Sequence, residues 1–322
     1  MQSEITQVLG VDNLEGLDEL VAVLLRDLPQ IDPETVLTLS NSVWVNDSFK
    51  LDSSFEGLMS GDYASHVGYY DAANTSKAAE EINSWIASKT GDRITDFIKD
   101  PSTLKYLYAL LVNAMYFQSE WGEKELFDPD DTVQATFRGS KGETQVQMMQ
   151  SRETGLYAYG DKNLKYVKIP FGNGSYAMEL VVPEKVETST EEWQAICLSL
   201  EDIRKESGFE PVLKIRLPKF SVRGELPLND ALEAAGLKSL SDEVSLSMFM
   251  EACRGHMALR QESVLEIDEK GAEAAVVTAN GIYVASGEKP RLREINIDRP
   301  FMFFITESST GACVVSGRIT DL

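Results

Sequence analysis

The sequence predicts one α+β domain that spans residues 1–322. Apolar residues with helical spacing recur in the first third of the chain, and a run of short strands separated by Gly, Asn and Asp turns follows them. No internal repeat or low-complexity linker divides the chain, which favours one domain over two. With 43% hydrophobic residues, a chain of this length can bury a large core without disulfides or metal ions.

Three early segments have the apolar spacing of helices. Residues 1–9 end at Gly10 and residues 14–28 end at Pro29, two residue types that typically follow a helix. Residues 74–90 begin with three residues that cap helices well. We therefore predict an amphipathic helix with one buried face in each of the last two segments. The predicted buried residues are Leu17, Leu20, Val21, Leu24 and Leu25 in one helix and Ala78, Ile82, Trp85 and Ile86 in the other.

Two further segments predict long strands. Residues 36–45 are apolar and β-branched, and residues 104–117 are apolar almost throughout, as in a central strand buried on both faces. Asn113 interrupts the second of these strands. A buried amide needs a hydrogen-bond partner whether it serves the core or a function, so both interpretations of Asn113 stay open. Residues 49–70 match no clear pattern.

The second half of the chain predicts an antiparallel meander followed by shorter elements. Residues 172–175 form a hairpin loop and not a nucleophile elbow, because Ala177 stands where that motif needs its last glycine. A helix at residues 228–236 is expected to be capped by Asn229 or Asp230. Further strands are predicted at residues 133–137, 144–150, 155–159, 167–171, 176–182, 213–220 and 261–267 and in a hairpin over 295–319, with another helix at 191–200.

Charge and composition exclude several classes of function. A net charge of -22 disfavours nucleic acid and heparin-like partners. No apolar run is long enough to span a membrane, and residues 1–4 do not begin a signal peptide. Cys197, Cys253 and Cys313 are expected to be buried or free thiols, and with only His66 and His256 beside them we expect no metal site and no cofactor. Neither histidine lies in a recognised triad motif, so we do not expect an enzyme.

Residues 269–286, EKGAEAAVVTANGIYVAS, combine the properties of a strand and of a loop. In an extended chain Ala272, Ala274, Val276 and Thr278 share one face, whereas Glu273 points to the other. Glycine and alanine add little cross-strand packing, so the segment is a strand that does not hold itself in place. The part that follows contains glycines and polar residues typical of an exposed, protease-accessible loop.

Three stretches resemble the serpin family. DEKGAEAAVVTA at residues 268–279 resembles the hinge of that family's reactive-centre loop, LVNAMYFQSEW at 111–121 resembles its central sheet strand, and RPFMFFI at 299–305 resembles its C-terminal core strand. The resemblance implies the serpin fold, with three β-sheets, several surrounding helices and an exposed reactive-centre loop at about residues 269–291. It also implies that the first two helices of the family and one strand are missing before residue 1.

The resemblance assigns roles to particular residues. The positions where two central strands part are Asn113, Trp121 and Gln261, and the helix at 74–90 would move when the sheet opens. Many serpins carry a histidine where Gln261 stands, and glutamine can still donate and accept a hydrogen bond there. The hinge comprises Glu269, Lys270, Gly271, Ala272, Glu273, Ala274, Ala275, Val276, Val277 and Thr278.

Family spacing counted from Glu269 places the cleaved bond between Ala285 and Ser286. The bonds Tyr283–Val284 and Val284–Ala285 remain alternatives, because the segment after the bond varies in length across the family. Alanine before the bond suits the shallow apolar pocket of elastase-like serine proteases first, and of subtilisin-like proteases second.

These assignments imply a suicide-type serine protease inhibitor. The protease cleaves the loop as a substrate, and the hinge then inserts as a new strand into the main sheet. The small side chains of Ala272, Ala274 and Ala275 favour this insertion, and Lys270 is expected to face solvent. A non-inhibitory binding protein of the same fold and a truncated, inactive serpin are the alternatives. We expect a secreted monomer that is able to form loop–sheet polymers.

Overall fold

The computed structural model describes residues 2–238, 244–245, 254–255, 257–272 and 293–322. The helices are α1 (Gln2–Leu9), α2 (Leu17–Asp27), α3 (Ser53–Ser60), α4 (Thr75–Lys89), α5 (Thr190–Glu206) and α6 (Leu228–Ala234). The strands are β1 (Val36–Asn46), β2 (His66–Tyr70), β3 (Ala109–Glu120), β4 (Val133–Gly139), β5 (Gly142–Gln150), β6 (Thr154–Gly160), β7 (Leu164–Phe171), β8 (Tyr176–Pro183), β9 (Gly208–Pro218), β10 (Phe220–Pro227), β11 (Val244–Ser245), β12 (Arg254–Gly255), β13 (Met257–Ile267), β14 (Gly271–Ala272), β15 (Arg293–Asn296), β16 (Phe301–Glu307) and β17 (Cys313–Ile319). Short 3₁₀ helices lie at Leu28–Gln30, Pro101–Tyr106 and Pro129–Asp131.

The chain falls into two compact units. The first comprises Met1–Ile31, Val36–Phe117 and Val222–Leu265, and the second comprises Asp32–Thr35, Gln118–Ser221 and Glu266–Leu322. Strands β3, β10 and β13 contribute residues to both units.

The first unit is organised around a sheet with the strand order β10–β13–β3–β1–β2. Strands β13 and β3 run parallel, from Met257 opposite Ala109 to Val264 opposite Tyr116. Helix α4 begins after Asn74, whose side chain accepts a hydrogen bond from the Lys77 amide. The helix packs an apolar face onto this sheet, in a core that includes Trp44, Ala78, Ile82, Ile86, Leu110 and Val112. In this strand order β3 is the middle strand of the sheet, as its apolar sequence predicts.

The second unit is built on a nine-stranded sheet with the order β17–β16–β8–β7–β6–β9–β5–β4, in which β15 also pairs parallel to β9. Strand β8 lies between β7 and β16 and is buried along its whole length. Helix α5 begins with a capping box formed by Ser189 and Glu192, and its buried residues are Trp193, Leu200 and Ile203.

The predicted α+β class with several sheets is confirmed. The helices expected at 1–9, 14–28 and 74–90 and the strands of the meander are present within a few residues of their predicted bounds. Residues 49–70, which matched no pattern, contain α3 and β2. That residues 1–322 form one domain stays a prediction.

Three details of the sequence analysis are wrong. Helix α2 buries none of its residues within the described part of the chain, and Leu20 is 55% exposed, because apolar spacing records a preference for burial and not the presence of a partner. The central strand was predicted to begin at residue 104 but begins at Ala109, because residues 101–106 form a 3₁₀ helix. The Asn229 side chain accepts a hydrogen bond from the Leu259 amide, 2.9 Å away, and α6 has no side-chain cap.

Cys197 and Cys313 are free thiols, as expected, whereas Cys253 and His256 lie outside the described residues. Within the described ranges, no helix combines the length and the apolar character that crossing a bilayer requires.

Candidate functional site

The segment that carries the small-residue face has already joined a sheet at Gly271 and Ala272, the second of which is the first residue of that face. Strand β13 ends at Ile267, the chain turns, and β14 pairs antiparallel with the end of β3, with Gly271 opposite Glu120 and Ala272 opposite Ser119. The turn closes through two backbone hydrogen bonds of 3.1 Å between Asp268 and Gly271. The strand expected to be held back therefore begins its pairing at Gly271.

Gly271 is required at this turn for two reasons. Its φ of +120° lies in a region that side-chain-bearing residues rarely adopt. A Cβ atom there would lie 2.5 Å from the Ser119 carbonyl oxygen and 2.7 Å from the Trp121 nitrogen. Glycine thus allows the turn to approach the backbone of β3 closely.

Ala272 occupies a position suited only to a small side chain. It is 2% exposed and lies opposite Ser119, which is 1% exposed. The Ser119 and Thr35 hydroxyl oxygens are 2.7 Å apart, and the Thr35 hydroxyl donates to the Asp32 carboxylate at 2.7 Å. Because this donation uses the single Thr35 proton, Ser119 donates to Thr35. A larger residue at position 272 would have to displace this satisfied polar cluster.

Trp121 supports the same turn from the sheet. Its indole stacks on Phe171, with ring centroids 4.8 Å apart, and meets Phe127 edge-on at 5.6 Å. The indole nitrogen donates to the Asp268 carbonyl at 3.0 Å, and the Trp121 amide donates to the Lys270 carbonyl at 3.1 Å. Trp121 thus contacts the turn through both its side chain and its backbone, and its role in sheet opening stays a prediction.

Glu269 is anchored on the other side of the turn. Its carboxylate lies 2.8 Å from the Lys219 ammonium and accepts a 2.7 Å hydrogen bond from the Thr132 hydroxyl. Burial opposes ionisation, but these two partners outweigh it and hold the pKa of Glu269 below its ordinary value. Lys270, the next residue, is exposed, in agreement with the sequence analysis.

Asn113 and Gln261 lie opposite each other in the first unit. They are register partners in the parallel pair β3–β13. The Asn113 amide donates to the Asn41 side chain on β1 at 2.9 Å, so its polar group is satisfied from the neighbouring strand. Both residues therefore sit along the seam where β3 and β13 meet.

The rest of the predicted site lies outside the described residues. This holds for the hinge residues Glu273, Ala274, Ala275, Val276, Val277 and Thr278 and for the reactive bond Ala285–Ser286. Conversely, several side chains that the fold brings to the turn could not be predicted as its partners. Lys219 lies within a stretch that was predicted to be a strand, but no local pattern links it to Glu269. The other partners, Asp32, Thr35 and Thr132, lie in connecting segments without a distinctive motif.

Comparison with known proteins adds an independent finding. A family model described as "Serpin (serine protease inhibitor)" matches residues 1–322. The chain is 29% identical over 315 residues to serine protease inhibitor 42Dd of Drosophila melanogaster, covering 95% of this chain and 82% of that protein. It is 26% identical to the leukocyte elastase inhibitor of Xenopus laevis, covering 99% and 86% of the two chains. The crystal structure of Serpin48 from the insect Tenebrio molitor shares the fold, with a TM-score of 0.81 at 24% identity over 99% of this chain and 85% of that one.

Proposed function

The chain belongs to the serpin family of serine protease inhibitors, and on that premise we propose that it traps a serine protease by inserting its cleaved loop into the sheet that contains β3 and β13. The inserted strand would begin at Gly271 and continue through the small-residue face that ends at Thr278. Insertion of a serpin loop into a sheet is a known case of strand addition.

One observation carries the proposal: Gly271 and Ala272 already pair with β3 directly after the turn. The continuation of β14 alternates small residues with Glu273 and Val277, so one face can slide over a packed core while the other meets water. Strands β3 and β13 are parallel and adjacent, and an antiparallel strand entering between them would satisfy both.

The free energy that strand insertion releases can be estimated. About ten newly paired residues at ~1 kcal/mol net per hydrogen bond, together with burial of small side chains, amount to on the order of 10 kcal/mol. This is comparable to the whole stability of an ordinary domain, so insertion could distort the active site of an attached protease.

The chemistry up to the trap is that of substrate cleavage. The protease serine attacks the carbonyl of the residue before the bond, which we place at Ala285, and the amine of Ser286 leaves. The loop remains esterified to the protease while the hinge inserts. Alanine at this position supports an elastase-like target, with subtilisin-like proteases second. We place this activity outside the cell and in a monomer.

The decisive experiment incubates the protein with an elastase and with a subtilisin and follows complexes that survive SDS. We expect such a complex for the wild type and for Lys270→Arg, which adds arginine at an exposed position. Ala272→Arg must bring a charge to a buried position, so it should be cleaved without forming the complex. Undiminished inhibition by Ala272→Arg would refute insertion as the mechanism, and cleavage of the wild type without any complex would favour the non-inhibitory alternative.

A further inference from the structure

Residues 90–107, here named the strap, make up all but the last residue of the connection from α4 to β3 and pack against the sheet of the first unit. Their apolar side is buried: Ile94, Phe97, Ile98 and Leu104 belong to the same core as α4 and β3. The strap is therefore packed against the sheet and does not form a free loop.

The strap is attached to α4 by a side-chain amide. Asn83 donates to the Ile98 carbonyl at 3.2 Å and accepts from the Ile98 nitrogen at 2.8 Å. This pair fixes the middle of the strap to the helix.

Two ion pairs attach the other side of the strap to β10. The Asp96 carboxylate lies 2.5 Å from the Arg223 guanidinium, and the Lys99 ammonium contacts Glu225. Arg223 also pairs with Glu262 of the adjacent strand β13. A single guanidinium thus connects the strap, β10 and β13.

The two partners of Arg223 differ in exposure. Glu262 is 2% exposed, and burial raises its pKa although Arg223 opposes this shift. Glu262 therefore holds the guanidinium in place, because a buried carboxylate without its cation would be costly. Asp96 is 53% exposed, so its contact with Arg223 can break with water replacing the partner.

The strap also covers poorly filled space. A cavity of about 290 Å³ is lined by Phe97 of the strap, by Leu226 and Pro227 of β10, and by Gln261 of β13. Packing is incomplete at this point, so the ion pairs contribute a larger share of the attachment there.

Sheet geometry determines what this attachment does when the sheet opens. The strap continues into β3 at Ala109, and its ion pairs reach β10, with β13 lying between these two strands. A strand inserted between β13 and β3 increases the separation of β3 and β10 by about 4.8 Å. The strap cannot follow β3 over that distance and keep the contact between Asp96 and Arg223.

We propose that the contact between Asp96 and Arg223 is a latch that slows the opening of the seam between β13 and β3. The latch regulates the insertion step and rests on the proposed function. Breaking it, by salt or by neutralising Asp96, speeds strand insertion without altering the inserting segment.

The test offers the sheet a synthetic peptide copying residues 272–285 as an added strand and measures the rate at which the protein acquires thermal resistance. Asp96→Asn removes the latch charge at an exposed position. Asp92→Asn is the matched control: it lies in the same strap, changes the net charge equally, and sits at a positive φ that asparagine tolerates. Arg223 is left intact because its removal would leave the buried carboxylate of Glu262 without its cation.

We expect Asp96→Asn to take up the peptide about threefold faster than the wild type, as a partly exposed ion pair allows, and Asp92→Asn to match the wild type. Raising salt from about 0.05 M to about 0.5 M should speed the wild type more than Asp96→Asn, in which, of the strap's two ion pairs, only the exposed pair of Lys99 with Glu225 remains to be screened. Equal rates for Asp96→Asn and the wild type, with normal protease complexes, would overturn the latch alone. If no variant takes up peptide and no protease complex forms, the proposed function fails and the latch with it.

Discussion

The Lys219 ammonium lies 2.8 Å from the Glu269 carboxylate, at the point where the chain leaves β13 and turns towards β14. Lys219 stands between β9 and β10, so this ion pair fastens the first residue of the hinge to a junction of two strands. Glu269 is 9% exposed on its side chain, and Thr132 satisfies its second oxygen. The hinge therefore starts from a rigid anchor.

Glu269→Gln should lower the free energy of unfolding by about 1 kcal/mol, because the charged partner of Lys219 is lost while the bond from Thr132 can persist. Urea unfolding at neutral pH measures the effect, and Lys270→Ala at the neighbouring exposed position serves as the control. Folding lowers the pKa of Glu269. Its contribution to the free energy of unfolding is therefore fully present above the ordinary pKa of glutamate and is lost as the pH falls through the pKa of the folded state. An unchanged midpoint in Glu269→Gln would show that the anchor has no energetic role.

Glu307 should make the protein sensitive to acid. Burial opposes its ionisation, but hydrogen bonds from the Thr310 hydroxyl and from the Ser309 and Thr310 amides lower the pKa of Glu307 to about 2. Its stabilisation, about 2 kcal/mol, is complete above pH ~4.5 and is lost as the pH falls from there towards ~2. Urea midpoints between these pH values should fall less steeply in Glu307→Gln than in the wild type. The exposed Glu153→Gln should follow the wild type, and parallel curves for all three proteins would contradict the assignment.

Gly271→Ala should destabilise the turn by about 2 kcal/mol or more, because the added Cβ meets the backbone of β3 at a positive φ. Gly208→Ala is the matched control in the same unit, since a Cβ there meets nothing within 4 Å. Thermal melting of the two variants should separate them clearly. Similar melting temperatures would mean that the turn rearranges without cost.

Cleavage of the loop should raise the melting temperature by about 20 °C or more, because insertion adds on the order of 10 kcal/mol to the stability. Brief digestion with elastase followed by calorimetry measures this rise, and mass spectrometry of the released fragment should find Ser286 at its start. A fragment that begins at Tyr283 or earlier would show that the predicted cleavage position is wrong. An unchanged melting temperature after cleavage would mean that the intact protein stores no conformational free energy.

The local features of the site could be predicted because each depends on a few neighbouring residues. The period of two in Ala272, Ala274 and Val276 predicts a strand with a small-residue face. The positive φ of Gly271 at the start of this strand was found only in the structure. Helix α2 marks the limit of this reasoning. Its apolar spacing correctly predicted the helix, but its burial depends on what packs against it.

The sequence by itself determined the small side chains that follow Gly271 and the run of apolar residues that becomes β3, because periodicity and side-chain size act over a few residues. Only the tertiary structure decided that Lys219 holds Glu269, that Asn41 satisfies Asn113, and that Arg223 joins Asp96 to Glu262. Each of these contacts joins residues far apart in the chain. Which charges and amides meet across such separations depends on strand order and register, and no local pattern encodes them.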